Sequence, residues 1–153
     1  MACESVHIQV ANRNQRSINH LCKHREEHSP WIVTVAFYKA LHIVEAVFAN
    51  DSSIGHTSDH PTRFLKLRTT RKYEHIYRHY SKLSRASNVA RYLEDGTNGT
   101  DVSCFDEYLS PDKVTTKFLF DHLKQIENSA RGRLENPDDL LTVDDARQFI
   151  KQS

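Results

Sequence analysis

Only four glycines and four prolines occur in 153 residues, and long stretches pass without either. A sheet of many short strands joined by tight turns would need both at regular intervals, so their scarcity points to long helices with few connections. Cys3, Cys22 and Cys104 are odd in number, far apart and without a Cys-x-x-Cys pair. Neither a disulfide framework nor a cysteine zinc site is expected, and a reducing compartment suits the chain. No glycine-rich phosphate loop, internal repeat or low-complexity run is present. Ser84, Ser87 and the cysteines have no base nearby in sequence that would activate a nucleophile. The N-terminus lacks a basic stretch followed by an apolar one, so no signal peptide is read, the Asn98-Gly99-Thr100 sequon is taken as accidental, and a cytoplasmic protein is expected.

What the sequence does contain is helical pattern. The length suits one domain, since a chain of this size buries roughly two-thirds of its unfolded surface. Residues 3–25 read as a first helix, with Val6, Val10, Leu21 and Cys22 on or near one face. Ser29-Pro30 offers an N-cap and a proline at the first helical position, and the apolar run behind it predicts a helix over 30–50. Trp31 to Asn50 would be about 30 Å long as a helix, but Lys39, His42 and Glu45 lie within it. A buried central helix is therefore expected and a membrane span is not.

Residues 51–59 form a polar loop ending at His60-Pro61, after which a long helical segment runs to Tyr92. From Tyr73 onward Ile76, Tyr80, Leu83, Ser87 and Ala90 make an inward stripe, with Arg68, Arg71, His75, Arg78, Lys82 and Arg85 on the opposite side. Glu94 to Tyr108 reads as a long loop. Ser110-Pro111 starts a further helix with the stripe Leu119, Leu123, Ile126, Ala130 and Leu134. Thr142 with Asp145 resembles a capping box opening a short helix over 142–151.

The near-neutral total charge of +1 hides a strong segregation. Residues 61–91 carry nine bases and one acid, about +8, while 92–153 carry seven bases and thirteen acids, about −6. A cationic middle can face a polyanion, or it can dock on an acidic partner protein or on the acidic last third of a second copy. The ordinary alternative is a solvated basic helix face.

Histidine is abundant at ten residues, with i, i+4 pairs at His20/His24, His24/His28, His56/His60 and His75/His79. Such pairs can chelate zinc or nickel on a helix, but no third ligand is in register, so a histidine-rich surface is read and no metal or other cofactor is expected. His42 and Glu45 on the apolar helix need buried partners, for which Arg63, His60 and Arg91 are the candidates. A structural hydrogen-bond network and a ligand-binding cluster both remain open for them.

Phe37-Tyr38, Leu41-His42, Glu45-Ala46, His60, Arg63, Tyr80, Leu83, Ser84 and Ala90-Arg91-Tyr92 are similar to a pattern in uncharacterised bacterial HEPN-like proteins (higher eukaryote and prokaryote nucleotide-binding). The resemblance covers about residues 25–135 of a single domain. It implies an all-α, up-and-down bundle of four to five helices, often a homodimer, in a family of RNA-cleaving toxins, abortive-infection proteins and non-catalytic nucleic-acid or nucleotide binders. It also implies a partner of antitoxin or nucleotidyltransferase-like type.

The family's ribonucleases carry Arg, four to six residues, then His, with Tyr two further on in one branch; Arg68, His75 and Tyr77 fit the loosest form of that spacing. On an unbroken helix Arg68 and His75 would lie two turns apart on one side, a cation for the phosphate beside a general base for the 2′-hydroxyl. Any enzymatic activity is then expected to be a metal-independent endoribonuclease. RNA or nucleotide binding is expected at Arg63, Arg71, Arg78, Lys82 and Arg85, with His42, Glu45 and His60 as a second cluster. The alternative is a non-catalytic protein-interaction module.

Overall fold

Apolar residues at three- and four-residue spacing place helix after helix around one long central helix in the computed structural model, which describes residues 3–92, 94–95, 100–101 and 109–150. The class is all-α. Helix α1, Glu4–Cys22, buries Ile8, Ala11, Ile18 and Cys22 on the face that also carries Glu4, His7 and Gln15. Val6 was expected on this face but is 45% exposed, because the buried positions 4, 7/8, 11, 15, 18 and 22 wind past it.

Helix α2, Arg25–Ala49, starts five residues before the expected Ser29-Pro30 cap. Pro30 lies inside it, and the Ser29 hydroxyl donates back to the Arg25 carbonyl at 2.7 Å instead of capping. The early start is held from outside the helix, since Arg25 pairs with Asp112 at 3.0 Å and donates to the Thr115 hydroxyl at 3.1 Å. The apolar run is covered by α1 and by this chain's own helices at Glu74–Tyr92 and 111–131, with Ile32, Val33, Ala36, Phe37, Ile43, Ala46 and Phe48 all buried. Among the described residues α2 is the one helix long and apolar enough to cross a bilayer, and most of that stretch is buried in the fold. The run therefore leaves little apolar surface for a second copy to cover, with Trp31, 62% exposed, as the main exception.

The loop after α2 turns at Gly55, whose φ of +71° favours glycine. Asp59 caps the next helix by accepting from the Thr62 backbone N–H at 2.7 Å and its hydroxyl at 2.9 Å. The expected single helix from here to Tyr92 is in fact two: α3, His60–Thr69, and α4, Glu74–Tyr92, divided by an extended Thr70 and a 3-10 turn at Arg71–Tyr73. The Thr69 hydroxyl donates to the Leu65 carbonyl at 2.7 Å, and two consecutive β-branched threonines disfavour continuation. The break sets the Tyr73 ring on Phe48, with centroids 5.5 Å apart, and its hydroxyl on Asp51 at 2.5 Å. On α4 the expected stripe is buried at Ile76, Tyr80, Leu83 and Ser87.

A two-residue antiparallel pairing, Glu94–Asp95 with Thr100–Asp101, follows α4. The rest of the expected 94–108 loop, with Cys104, lies outside the described residues. Helix α5 spans residues 111–131, with Ser110 accepting from the Lys113 N–H as expected. Its stretch Val114–Leu123 is π-helical. Buried Val114, Leu119 and Leu123 are spaced by five and four residues, as that wider turn requires. Thr142 does cap the last segment, but it accepts from the Asp144 N–H rather than sharing a box with Asp145, and Val143–Phe149 is a 3-10 helix.

One buried polar network ties these elements together. Lys39 of α2 is fully buried, and its three ammonium protons go to Glu127 of α5, to the Gln15 side-chain oxygen of α1 at 2.6 Å and to the Leu141 carbonyl at 2.8 Å. Glu127 accepts in turn from the Val143 N–H at 3.0 Å. Every proton of the ammonium is thus satisfied, the condition under which a buried charge is tolerated.

Candidate functional site

His42 and Glu45 stand three residues apart, hence on one face of α2, and that face meets α1, the 50–59 loop and α3. Glu45 is 1% exposed. Its carboxylate accepts from Arg63 Nε at 2.7 Å, from the Thr57 backbone N–H at 3.1 Å and from the Thr57 hydroxyl, and it lies 3.1 Å from His56 Nδ1. Burial would raise this carboxyl, but the bonds from Thr57 and Arg63 outweigh it and hold the group below the usual carboxylate range. Arg63, itself buried, also reaches His60 Nδ1 at 3.2 Å, and the His60 ring stacks on Phe37.

His42 turns to α1, where its Nδ1 lies 3.1 Å from Nδ1 of His7. The His7 ring also stacks against His56, with centroids 5.6 Å apart and planes at 21°. Burial lowers the basicity of His7, His42 and His60, and the nearby Arg63 charge adds to the effect at each. The Nε2 of His7 is buried without a hydrogen-bond partner. His7, Glu45 and His56 each offer a ligand atom, all within 4.8 Å of one another, which makes them the group of described residues suited to a metal ion.

The sequence offers Arg63, His60 and Arg91 as partners for His42 and Glu45, and the fold brings Arg63 to Glu45 and His60 to Arg63. Arg91, the remaining candidate partner, points elsewhere: it donates to the Tyr38 hydroxyl at 3.3 Å. Arg63 is spent on Glu45 and is not part of the outer cationic surface. His7 and Thr57 went unnoticed in the sequence. His7 was detectable as a histidine on the apolar face of α1, whereas nothing marks Thr57. His56 drew notice only through its spacing from His60, yet the two go to different partners, Glu45 and Arg63. His24 is a non-helical link between α1 and α2, so the His20/His24 and His24/His28 pairs lose helical geometry.

The second candidate surface is the outside of α3 and α4. Arg68, Arg71, Arg78 and Lys82 are exposed, and Arg85 is half-buried. Among the described residues Arg68, Arg71 and Lys82 have no carboxylate within ion-pair distance, and Arg78 has only exposed Glu74 at 4.0 Å. Lys72 differs, being held by Asp51 at 2.7 Å.

Arg68 lies on α3, while His75 and Tyr77 lie on α4. The Thr70 break puts Arg68 on a different helix from His75, so the shared register is lost. Tyr77 is half-buried, edge-on to Phe64 at 5.9 Å. Exposed His75 lies 3.4 Å from the Gln125 side-chain oxygen, and its neighbour His79 meets His122 of α5, Nδ1 to Nδ1, at 2.9 Å. Burial lowers the basicity of His79 and His122.

Comparison with protein-family models, with curated proteins and with solved structures finds no significant match.

Proposed function

We propose that this chain is a HEPN-like helical bundle that binds single-stranded RNA on the outer face of α3 and α4. The observation that carries the reading is the set of exposed cations Arg68, Arg71, Arg78 and Lys82, of which three have no carboxylate partner among the described residues. Such a surface is what phosphates need, since binding releases their counterions. Exposed Tyr92, with the Arg91 guanidinium 5.2 Å above its ring, adds a stacking platform at the end of the same helix. Unpaired bases would stack on that platform beside the phosphate-binding cations, and this pairing of features is the ground for preferring RNA to the protein-docking alternative.

We read the face as a binding surface rather than a nuclease site, because Arg68 and His75 sit on separate helices and Tyr77 packs inward. Fluorescence anisotropy with a labelled single-stranded RNA tests this. Four phosphate contacts predict a log–log salt slope of about −3. Reversing Arg71, Arg78 and Lys82 to Glu should abolish binding, and Tyr92→Ala should weaken it by about 1–3 kcal/mol. No binding by the native chain at low salt would sink the RNA reading in favour of an acidic partner. RNA cleavage in EDTA that is lost in His75→Ala would restore the nuclease.

A further inference from the structure

We propose that His7, Glu45 and His56 form a binding site for a divalent transition-metal ion of the zinc class, with His42 holding the ring of His7 in place. The site is separate from the cationic face, and its test involves no RNA.

The donor set is the first argument. Two imidazoles and one carboxylate are a recurrent three-ligand set for zinc, which then keeps further positions open for water or substrate. The three ligand atoms already lie within 4.8 Å of one another. His56 Nδ1 and Glu45 Oε2 are 3.1 Å apart, close to the roughly 3.3 Å between ligands that metal bonds of about 2.0–2.1 Å give in a tetrahedron. An ion arriving here sits between His56 Nδ1 and Glu45 Oε2, with His56 in the tautomer that leaves its Nδ1 lone pair free.

The second argument is the unpartnered nitrogen. His7 is 5% exposed and its Nε2 has no hydrogen-bond partner, while its Nδ1 is engaged by His42 at 3.1 Å. A buried polar atom left in this state is destabilising, because it has lost its water and gained nothing in return. A metal removes that cost, and it selects the tautomer in which His7 Nδ1–H donates to His42 and Nε2 carries the lone pair. Ligating histidines usually pass their other N–H to a neighbour in this way.

The surroundings fit the same reading. Arg63 and the Thr57 hydroxyl donate to Glu45 Oε1 and the Thr57 backbone N–H donates to Oε2, which fixes the orientation of the carboxylate and leaves Oε2 a further lone pair for an ion. The Arg63 charge balances that of Glu45, so the site has no excess negative charge to attract hard cations. Nitrogen donors with little net charge select Zn²⁺, Co²⁺ or Ni²⁺ over Mg²⁺ and Ca²⁺, which want several oxygens. His56 is about one-third exposed and borders an open cavity of about 670 Å³ beside the start of α1 and the end of α2, which gives an ion a way in.

The experiment strips the purified full-length chain with a chelator, removes the chelator and titrates Zn²⁺ against a competing chromogenic indicator, with Co²⁺ absorption as a second readout. One ion per chain is expected, with no binding of Mg²⁺ or Ca²⁺. His7 is buried and its replacement can disturb folding, so His56→Ala is the deciding variant, with its fold checked by circular dichroism. It should weaken Zn²⁺ binding by about 100-fold or more, at or above the top of the roughly 10–100-fold range for loss of an outer partner. Zn²⁺ should raise the melting temperature of the native chain and not of His56→Ala. His79→Ala, at the other histidine pair, should bind as the native chain does. Absence of Zn²⁺ binding by the native chain, unchanged binding in folded His56→Ala, or loss in His79→Ala alone overturns the assignment.

Discussion

Replacing Lys39 by Met removes a charge that three helices and the C-terminal segment share. The methionine fills nearly the same volume, so packing changes little, but the Glu127 carboxylate is left buried with only the Val143 N–H, and Gln15 and the Leu141 carbonyl lose their donor. Breaking a buried pair by removing one partner costs about 3–5 kcal/mol. Against a total stability of about 5–15 kcal/mol, that is a large fraction. At about 2–4 °C per kcal/mol for a chain of this size, the melting temperature should fall by roughly 6–20 °C.

The second half of the argument is a cycle with Glu127→Gln, which strands the ammonium instead. In Lys39→Met/Glu127→Gln neither charge remains, and the glutamine oxygen still accepts from Val143. The double variant should therefore be no less stable than the worse single one, with a coupling of at least about 1–3 kcal/mol. Urea denaturation followed by circular dichroism measures all four corners. Additive losses, with coupling under about 0.5 kcal/mol, would show that Lys39 and Glu127 are not a desolvated pair and would refute the reasoning.

Acid should destabilise the fold in two stages. Burial depresses His7, His42, His60, His79 and His122, so the unfolded chain takes up protons near pH 6.5 that the folded chain refuses; stability is full above that pH and falls as pH drops towards the folded values. Melting curves should lose several degrees between pH 7 and 5.5, before the depressed carboxylates Glu45, Asp51 and Asp144 contribute a later loss at lower pH; a flat profile over the first interval would contradict the burial assigned to the histidines. Leu123→Ala, at a fully buried position of the π-helical stretch, should cost about 2–5 kcal/mol by chemical denaturation, and a loss below 1 kcal/mol would place Leu123 outside the core. If the chain forms the homodimer that its family resemblance implies, the one tryptophan, Trp31, is the exposed apolar residue that α2 leaves for it; its emission should shift to the blue as concentration rises from nanomolar to 100 µM, and unchanged emission with a monomeric mass by light scattering removes the dimer.

Much of the helical layout could be read locally. The start of α3 at His60-Pro61, the Ser110 cap of α5, the buried stripe of α4 and the apolar run of α2 all rest on side chains within a few residues of one another, where spacing and capping chemistry act. The cationic face was legible for the same reason, since its bases are neighbours on the chain. The boundaries that failed were those settled from a distance: α2 begins at Arg25 because Asp112 and Thr115 hold it there, against the local cap-and-proline signal of Ser29-Pro30. The single helix expected to carry both Arg68 and His75 divides at Thr70, where packing of Tyr73 on Phe48 and Asp51 accompanies a break in an otherwise continuous pattern.

For the polar clusters the division is sharper. That His42 and Glu45 needed partners followed from their residue types and the apolar helix around them. Which partners they found depended on contacts between residues 12 to 35 positions apart, among them Thr57 to Glu45 and His7 to His42, as the Lys39 to Glu127 pair did on one of 88. The worth of such a contact comes from the water it excludes and the distance at which the groups are held. Both quantities exist only once the helices have packed. Composition and local pattern therefore carry the helices and their charge, and the packed interior alone makes a carboxylate, an arginine and three histidines into one site.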